Sequence, residues 1–122
     1  MPSVTLFEND PNVVSYSQGQ RIFVAGDPGD VMFVVIDGEV ELDLNGTRLE
    51  VVGHGGFFGE MALLDHKPRS ATASAKTDVR VVAVDQRRFL YLIQNTPFFA
   101  IEVMTTMSDR LRHADEMIKN RA

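Results

Sequence analysis

The sequence predicts a mainly β protein with helices at its C-terminal end, the β part built as a sandwich or barrel. Three observations predict it. Short apolar or alternating segments recur about every eight to twelve residues as far as Val84. Glycine stands in most of the gaps between them, beside aspartate, asparagine or proline, as tight turns demand. From Asp85 onward the two-residue period gives way to a helical one. At 122 residues the chain reads as a single domain, 1–122, with the barrel over about 13–85 and helices over about 86–121.

Each element has a local reason. Val13–Ser17 alternates Val14 and Tyr16 against serines and reads as a strand. Gln18-Gly19-Gln20 turns the chain into a second strand, Arg21–Ala25, carrying Ile22, Phe23 and Val24. Gly26-Asp27-Pro28-Gly29-Asp30 is a dense turn signal. Val31–Ile36 is a short unbroken apolar run, as expected of a buried strand. After Asp37-Gly38, residues Val40, Leu42 and Leu44 alternate with Glu41 and Asp43, the pattern of a half-buried strand. Asn45-Gly46 is the chain's strongest hairpin signal, with Leu49, Val51 and Val52 on the return strand. Gly53-His54-Gly55-Gly56 leads out of it. Ala71, Ala73 and Ala75 alternate with polar neighbours, and Val79–Val84 forms the last strand. Phe89, Leu90, Leu92 and Ile93 mark a helix ending near Asn95-Thr96. Thr96 caps a second helix with Pro97 at its first position, running to about Lys119.

The stretch Phe58-Gly59-Glu60-Met61-Ala62-Leu63-Leu64-Asp65-His66-Lys67-Pro68-Arg69-Ser70-Ala71-Thr72 carries the chemistry. It joins a Gly-Glu pair to a short apolar helical turn, then to Pro-Arg and small residues. A helix start offers free N–H groups and partial positive charge to an anion. Gly59 lets a ligand approach the backbone. Glu60, when ionised, only accepts hydrogen bonds and suits a sugar hydroxyl. Arg69 presents a planar donor fork that suits phosphate oxygens. Taken singly, Glu60 is a first-turn acid favoured by the helix dipole, Arg69 a surface charge and Pro68 a turn residue. Together they describe a site for one phosphate and a neighbouring sugar hydroxyl.

This stretch resembles the phosphate-binding cassette of cyclic nucleotide-binding domains. Phe58, Gly59, Glu60, Ala62, Leu63, Leu64, Pro68, Arg69 and Ala71 all match that family's pattern. The strand pattern from Ile22-Phe23 through Gly26-Asp27-Pro28-Gly29-Asp30 to Gly38 and Val40 resembles the family's first half. The resemblance spans about Phe7 to Val84. It implies an eight-stranded jelly-roll barrel, or double-stranded β-helix, with a short cassette helix and a long C-terminal lid helix. It further implies that Glu60 holds a ribose 2′-hydroxyl and that Arg69 pairs with a cyclic phosphate. Backbone N–H groups near Ala62 and Ser70 then complete the cradle, with the Ser70 hydroxyl as a further donor. The implied ligand-binding set is Gly59, Glu60, Met61, Ala62, Arg69, Ser70, Ala71 and Asp115. Asp115 enters because the family's base-reading Thr-Ser pair on the long helix falls on Ala114-Asp115. A carboxylate there accepts from the exocyclic amine of adenine and equally from N1–H and the amine of guanine. Serine at position 70 is common in bacterial cAMP sites, so cAMP is expected, with cGMP as the alternative.

Composition narrows the remaining classes. Net charge is −5 with no basic stripe, which disfavours nucleic acid as a partner. No cysteine is present, so disulfides, thiolate metal sites and a cysteine nucleophile are excluded, in keeping with a reducing, cytoplasmic setting. No signal-peptide h-region or membrane-length apolar run is seen. His54, His66 and His113 are scattered, so neither a metal nor a further cofactor is expected. His66 is expected to be exposed in the cassette loop.

Along the second helix Ala100, Met104, Met107, Leu111, Ala114 and Ile118 recur at spacings of four and three. This seam is shorter than the roughly three heptads of a coiled coil. It suits packing on the chain's own barrel, or a homodimer with Arg110, Arg112, Asp115 and Glu116 setting register.

The expected function is therefore a non-enzymatic sensor that binds a cyclic nucleotide and signals through its C-terminal helix to a subunit or to an unknown downstream protein. By the resemblance it is of the catabolite-activator type, without that type's helix-turn-helix DNA-binding unit. Two alternatives stay open. One is a degenerate barrel serving as an interaction or dimerisation module. The other is a cupin-like enzyme, for which His54 and Glu60 are the nearest approach to a ligand cluster.

Overall fold

The computed structural model describes residues 6–121, with side chains to Lys119, so residues 1–5 and 122 of the expected single domain lie outside the described residues. The strands are β1 (Val13–Tyr16), β2 (Arg21–Phe23), β3 (Val31–Asp37), β4 (Val40–Leu44), β5 (Thr47–Val52), β6 (Phe57–Phe58), β7 (Thr72–Ala75) and β8 (Val79–Asp85). The helices are α1 (Glu60–Asp65), α2 (Gln86–Asn95) and α3 (Pro97–Arg121). The strands form two four-stranded antiparallel sheets, ordered β1-β8-β3-β6 and β2-β7-β4-β5. The jelly-roll expectation holds, as two packed sheets.

Hydrophobic patterning explains the layers. One cluster joins Phe33 and Val35 of β3 and Val79 and Val81 of β8 to Val40, Val52, Ala73 and Ala75 of the other sheet. Strand β3 is buried on both faces, since Met32, Val34 and Ile36 are buried as well. On that second face Met32 stands opposite Val84 and Val34 opposite Val82. This is why β3 reads as an unbroken apolar run and not as an alternation. At the β4–β5 hairpin Asn45 and Gly46 have φ of 52° and 82°, the doubly left-handed turn expected of Asn-Gly.

Strand β6 escaped the sequence reading because two residues show no period. It forms because Phe58 and Phe57 pair with Phe33 and Val34 of β3. Strand β2 ends at Phe23 because the chain turns there, Asp27 N–H donating to Val24 O at 3.0 Å and Val24 N–H to an Asp27 carboxylate oxygen at 2.9 Å.

Helix α2 opens on Asp85, whose carboxylate accepts the Arg88 N–H at 2.9 Å and so caps the first turn. Helix α3 starts at Pro97, and the carbonyl of Thr96 accepts the Phe99 N–H at 2.9 Å. The chain divides into two compact units, Met1–Phe89 and Leu90–Ala122, with the boundary inside α2. In the second unit Met104, Leu111, Ala114 and Ile118 are exposed, while Ala100 and Met107 are half-buried. Among the described residues no helix is long and apolar enough to cross a membrane.

Candidate functional site

Strand β6 delivers the chain to Gly59, whose φ of +80° is open to glycine and strained for other residues. A Cβ at Gly59 would also stand 2.8 Å from Nη1 of Arg69. Helix α1 follows at once. No side chain caps it, so the N–H groups of its first turn, those of Met61 and Ala62 among them, are left to other acceptors. His66 ends it in the left-handed conformation at φ 57°, its N–H donating to Ala62 O at 3.0 Å. Its side chain is exposed, as expected.

The return segment is zipped onto the turn after β2. Arg69 N–H donates to Asp27 O at 2.8 Å, and Gly26 N–H donates to Arg69 O at 2.8 Å. Ala25 N–H donates to the Thr72 hydroxyl at 3.0 Å. The backbone of Arg69 is thus held at both of its polar groups.

Two buried charged residues stand out among the described residues, Glu60 at 5% exposure and Arg69 at 7%. Charged side chains are rarely buried, because desolvation is costly. Arg69 Nη1 donates to Gly59 O at 3.0 Å. Its guanidinium carbon lies 4.2 Å from the centre of the Phe23 ring and 5.7 Å from that of Phe33. Its Nε is buried and has no hydrogen-bond partner. Burial pushes the Arg69 pKa down from its usual value, and the charges of Asp30, Asp27 and Glu60 oppose that shift. An arginine in such surroundings stays protonated at neutral pH. The site therefore holds a fixed cation with an unused donor, close to a buried carboxylate. That arrangement can take an anion and a neighbouring hydroxyl.

The other expected residues are placed as follows. Met61 and Ser70 are exposed and approach each other, the Ser70 hydroxyl 3.7 Å from the Met61 sulfur. Ala62 is buried and Ala71 half-buried. Gly59, Glu60, Met61, Ala62, Arg69, Ser70 and Ala71 all belong to the first unit, and direct contacts link Gly59 to Arg69 and Met61 to Ser70. Asp115 is exposed on α3 in the second unit. Among the described residues no three His, Cys, Asp or Glu side chains are grouped to hold a metal.

Sequence reasoning missed Phe23 and Gly29. A Cβ at Gly29 would fall 2.2 Å from Arg69 Nε and 2.4 Å from its guanidinium carbon. The available signal was an aromatic residue at the end of a strand, followed by a turn with two glycines. Nothing local says that Arg69 returns to it.

Comparison with known proteins gives the family. The chain is 39% identical over 105 residues to a cyclic AMP receptor protein from Thermus thermophilus, covering 82% of this chain and 49% of that protein. It is 39% identical over 84 residues to a cAMP-dependent protein kinase regulatory subunit from Aspergillus niger, covering 67% of this chain and 20% of that one. The crystal structure of the Thermus thermophilus catabolite activator protein superimposes with a TM-score of 0.78 at 33% identity, over 98% of this chain and 59% of that one. The chain thus spans half or less of the curated relatives it matches. The cyclic nucleotide-binding domain profile matches residues 13–96, from β1 through the cassette to the end of α2, and the chain belongs to the cyclic nucleotide-binding domain family.

Proposed function

We propose that this chain is a non-enzymatic sensor of a 3′,5′-cyclic nucleotide, cAMP in preference to cGMP. The observation that carries the reading is the buried Arg69 guanidinium with its unpartnered Nε beside the buried Glu60. A cyclic phosphate carries one negative charge and would pair with that guanidinium. The ribose 2′-hydroxyl would donate to Glu60. First-turn N–H groups of α1, at Met61 and Ala62, and the Ser70–Ala71 segment would surround the phosphate. Each charge-assisted hydrogen bond of this kind is worth about 1.5–3 kcal/mol net. The adenine preference rests on Ser70 and on the two relatives named for cAMP.

Output would pass through the C-terminal helix. A ligand shifts a conformational equilibrium only through different affinities for the two states. The exposed apolar residues Met104, Leu111 and Ile118 of α3 fit a homodimer or a downstream protein, in a cytoplasmic setting. The intact Glu60 and Arg69 speak against a degenerate barrel.

Isothermal titration with cAMP, cGMP and AMP on one preparation tests the reading. Cyclic AMP should bind most tightly. Linear AMP should bind far more weakly, because its dianionic phosphate sits on a single ester and cannot meet Arg69 while the ribose meets Glu60. Equal affinity for AMP and cAMP would refute the cyclic-phosphate site.

A further inference from the structure

The Arg69 guanidinium is held before any ligand arrives, in contact with a ring face and a backbone carbonyl, and with the charges of Asp30, Asp27 and Glu60 nearby. Phe23, Phe33 and Phe58 form an aromatic floor, with ring centres 6.0 Å (Phe23–Phe33), 5.9 Å (Phe23–Phe58) and 5.2 Å (Phe33–Phe58) apart. The guanidinium lies closest to the outermost of these rings, Phe23, which is only half-buried, whereas Phe33 and Phe58 sit deeper. Space for that ring comes from β7, where the small residue Ala73 pairs with Phe23 across the strands. Gly29 stands against the Nε side of the fork, with no room for a Cβ while the fork is in place. On the third side Nη1 is tied to Gly59 O.

We infer that Phe23 and Gly29 are positioning residues which form a slot for the Arg69 guanidinium, one presenting a ring face and the other a bare backbone, neither taking a donor of the fork that the ligand phosphate uses. The inference rests on the cyclic nucleotide reading for its binding consequence but not for the slot itself. A ring face attracts the cation without consuming a donor, unlike a carboxylate. The fork is thus steadied without spending a donor. A side chain at Gly29 would displace the flexible end of Arg69 and leave the backbone as it is, since Gly29 is not among the glycines of positive φ.

Two measurements test this. The first uses the ligand-free protein. The Nε–H resonance of Arg69, assigned by its loss in Arg69→Lys, should be displaced by the Phe23 ring current and slow to exchange. Phe23→Leu should return it to the range of solvated arginines, and Phe23→Tyr should keep it displaced. An unmoved resonance in Phe23→Leu overturns the slot.

The second is a titration with cAMP. Phe23→Leu should weaken binding about 5-fold to 30-fold, the range of a desolvated cation–ring contact, and Phe23→Tyr should restore it. Gly29→Ala should weaken binding by about 10-fold or more with an unchanged melting temperature, since it moves the fork and not the fold. In an Arg69→Ala background, titrated at millimolar ligand, neither change should cost anything further. Equal losses with and without Arg69 would mean that both residues merely support the fold, and would overturn the inference. If the wild type binds no cyclic nucleotide, the cyclic nucleotide reading fails, and the resonance still decides the slot.

Discussion

Arg69 and Arg88 both lie over phenylalanine rings, and the difference between them separates a structural cation from a binding one. Arg88, in the first turn of α2, sits with its guanidinium carbon 5.0 Å from the centre of the Phe7 ring and pairs with the carboxylate of Asp10. Asp10 in turn accepts the Asn12 N–H at 2.8 Å. Arg69 sits over Phe23 at 4.2 Å, but its Nε meets no acceptor. The Arg88 charge is matched within the chain and pins the segment before β1 to the start of α2. The Arg69 charge is left with an unmet donor, and a buried unmet donor costs free energy that a ligand can return.

Breaking the comparison at Arg69 should have the largest effect. Arg69→Ala should weaken cyclic nucleotide binding by about 2–4 kcal/mol, because the phosphate then sits desolvated without its charge partner. Arg69→Lys should recover only part of that, since a point charge replaces a planar fork. Neither change should lower the melting temperature appreciably, because the lost Nη1 bond to Gly59 O and the lost ring contact are offset by removal of the buried, unpartnered Nε. A clear loss of stability with intact binding would reverse the roles assigned to the two arginines.

Breaking it at the other end should cost stability and leave affinity alone. Asp10→Asn removes a charge-assisted hydrogen bond from a carboxylate whose side chain is 5% exposed, against an Arg88 side chain that is 30% exposed. A loss of about 1–3 kcal/mol at neutral pH is expected from denaturant unfolding, with unchanged cAMP titration. The pH dependence sharpens this. The Arg88 hydrogen bond holds the Asp10 carboxyl below its ordinary 3.8. A carboxyl lowered in the folded state contributes stability above its unfolded pKa and loses it as pH falls through the folded one. The stability gap between wild type and Asp10→Asn should therefore be full at pH 6 and close progressively below about pH 4. A gap independent of pH would mean that packing, and not the ion pair, secures this contact.

The smallest effect concerns the carboxylate beside Arg69. Glu60→Gln should weaken cAMP by about 1 kcal/mol and 2′-deoxy-cAMP by less, because the affected partner is the 2′-hydroxyl and the amide oxygen still accepts from it without the charge. Equal losses for both ligands would remove Glu60 from the ribose.

Most strands were legible because burial on one face leaves a two-residue period, and Val40–Leu44 was located to the residue. The cassette was legible because its residues are contiguous, so one local segment carries Gly59, Glu60 and Arg69 together. Strand β6 was not, because its two residues owe their conformation to β3 and not to their neighbours. The cap at Asp85 lay within reach, as an aspartate directly before a helical run.

The sequence by itself determined the turns, the alternation of buried and exposed positions, and the cassette with its cation and carboxylate, all of which depend on neighbours within a few residues. Only the tertiary structure decided which ring lies under Arg69, that Gly29 must be bare, and that Asp10 finds Arg88 across 78 residues of chain. Those pairings follow from strand order and register, which bring distant segments together, and local periodicity does not encode them.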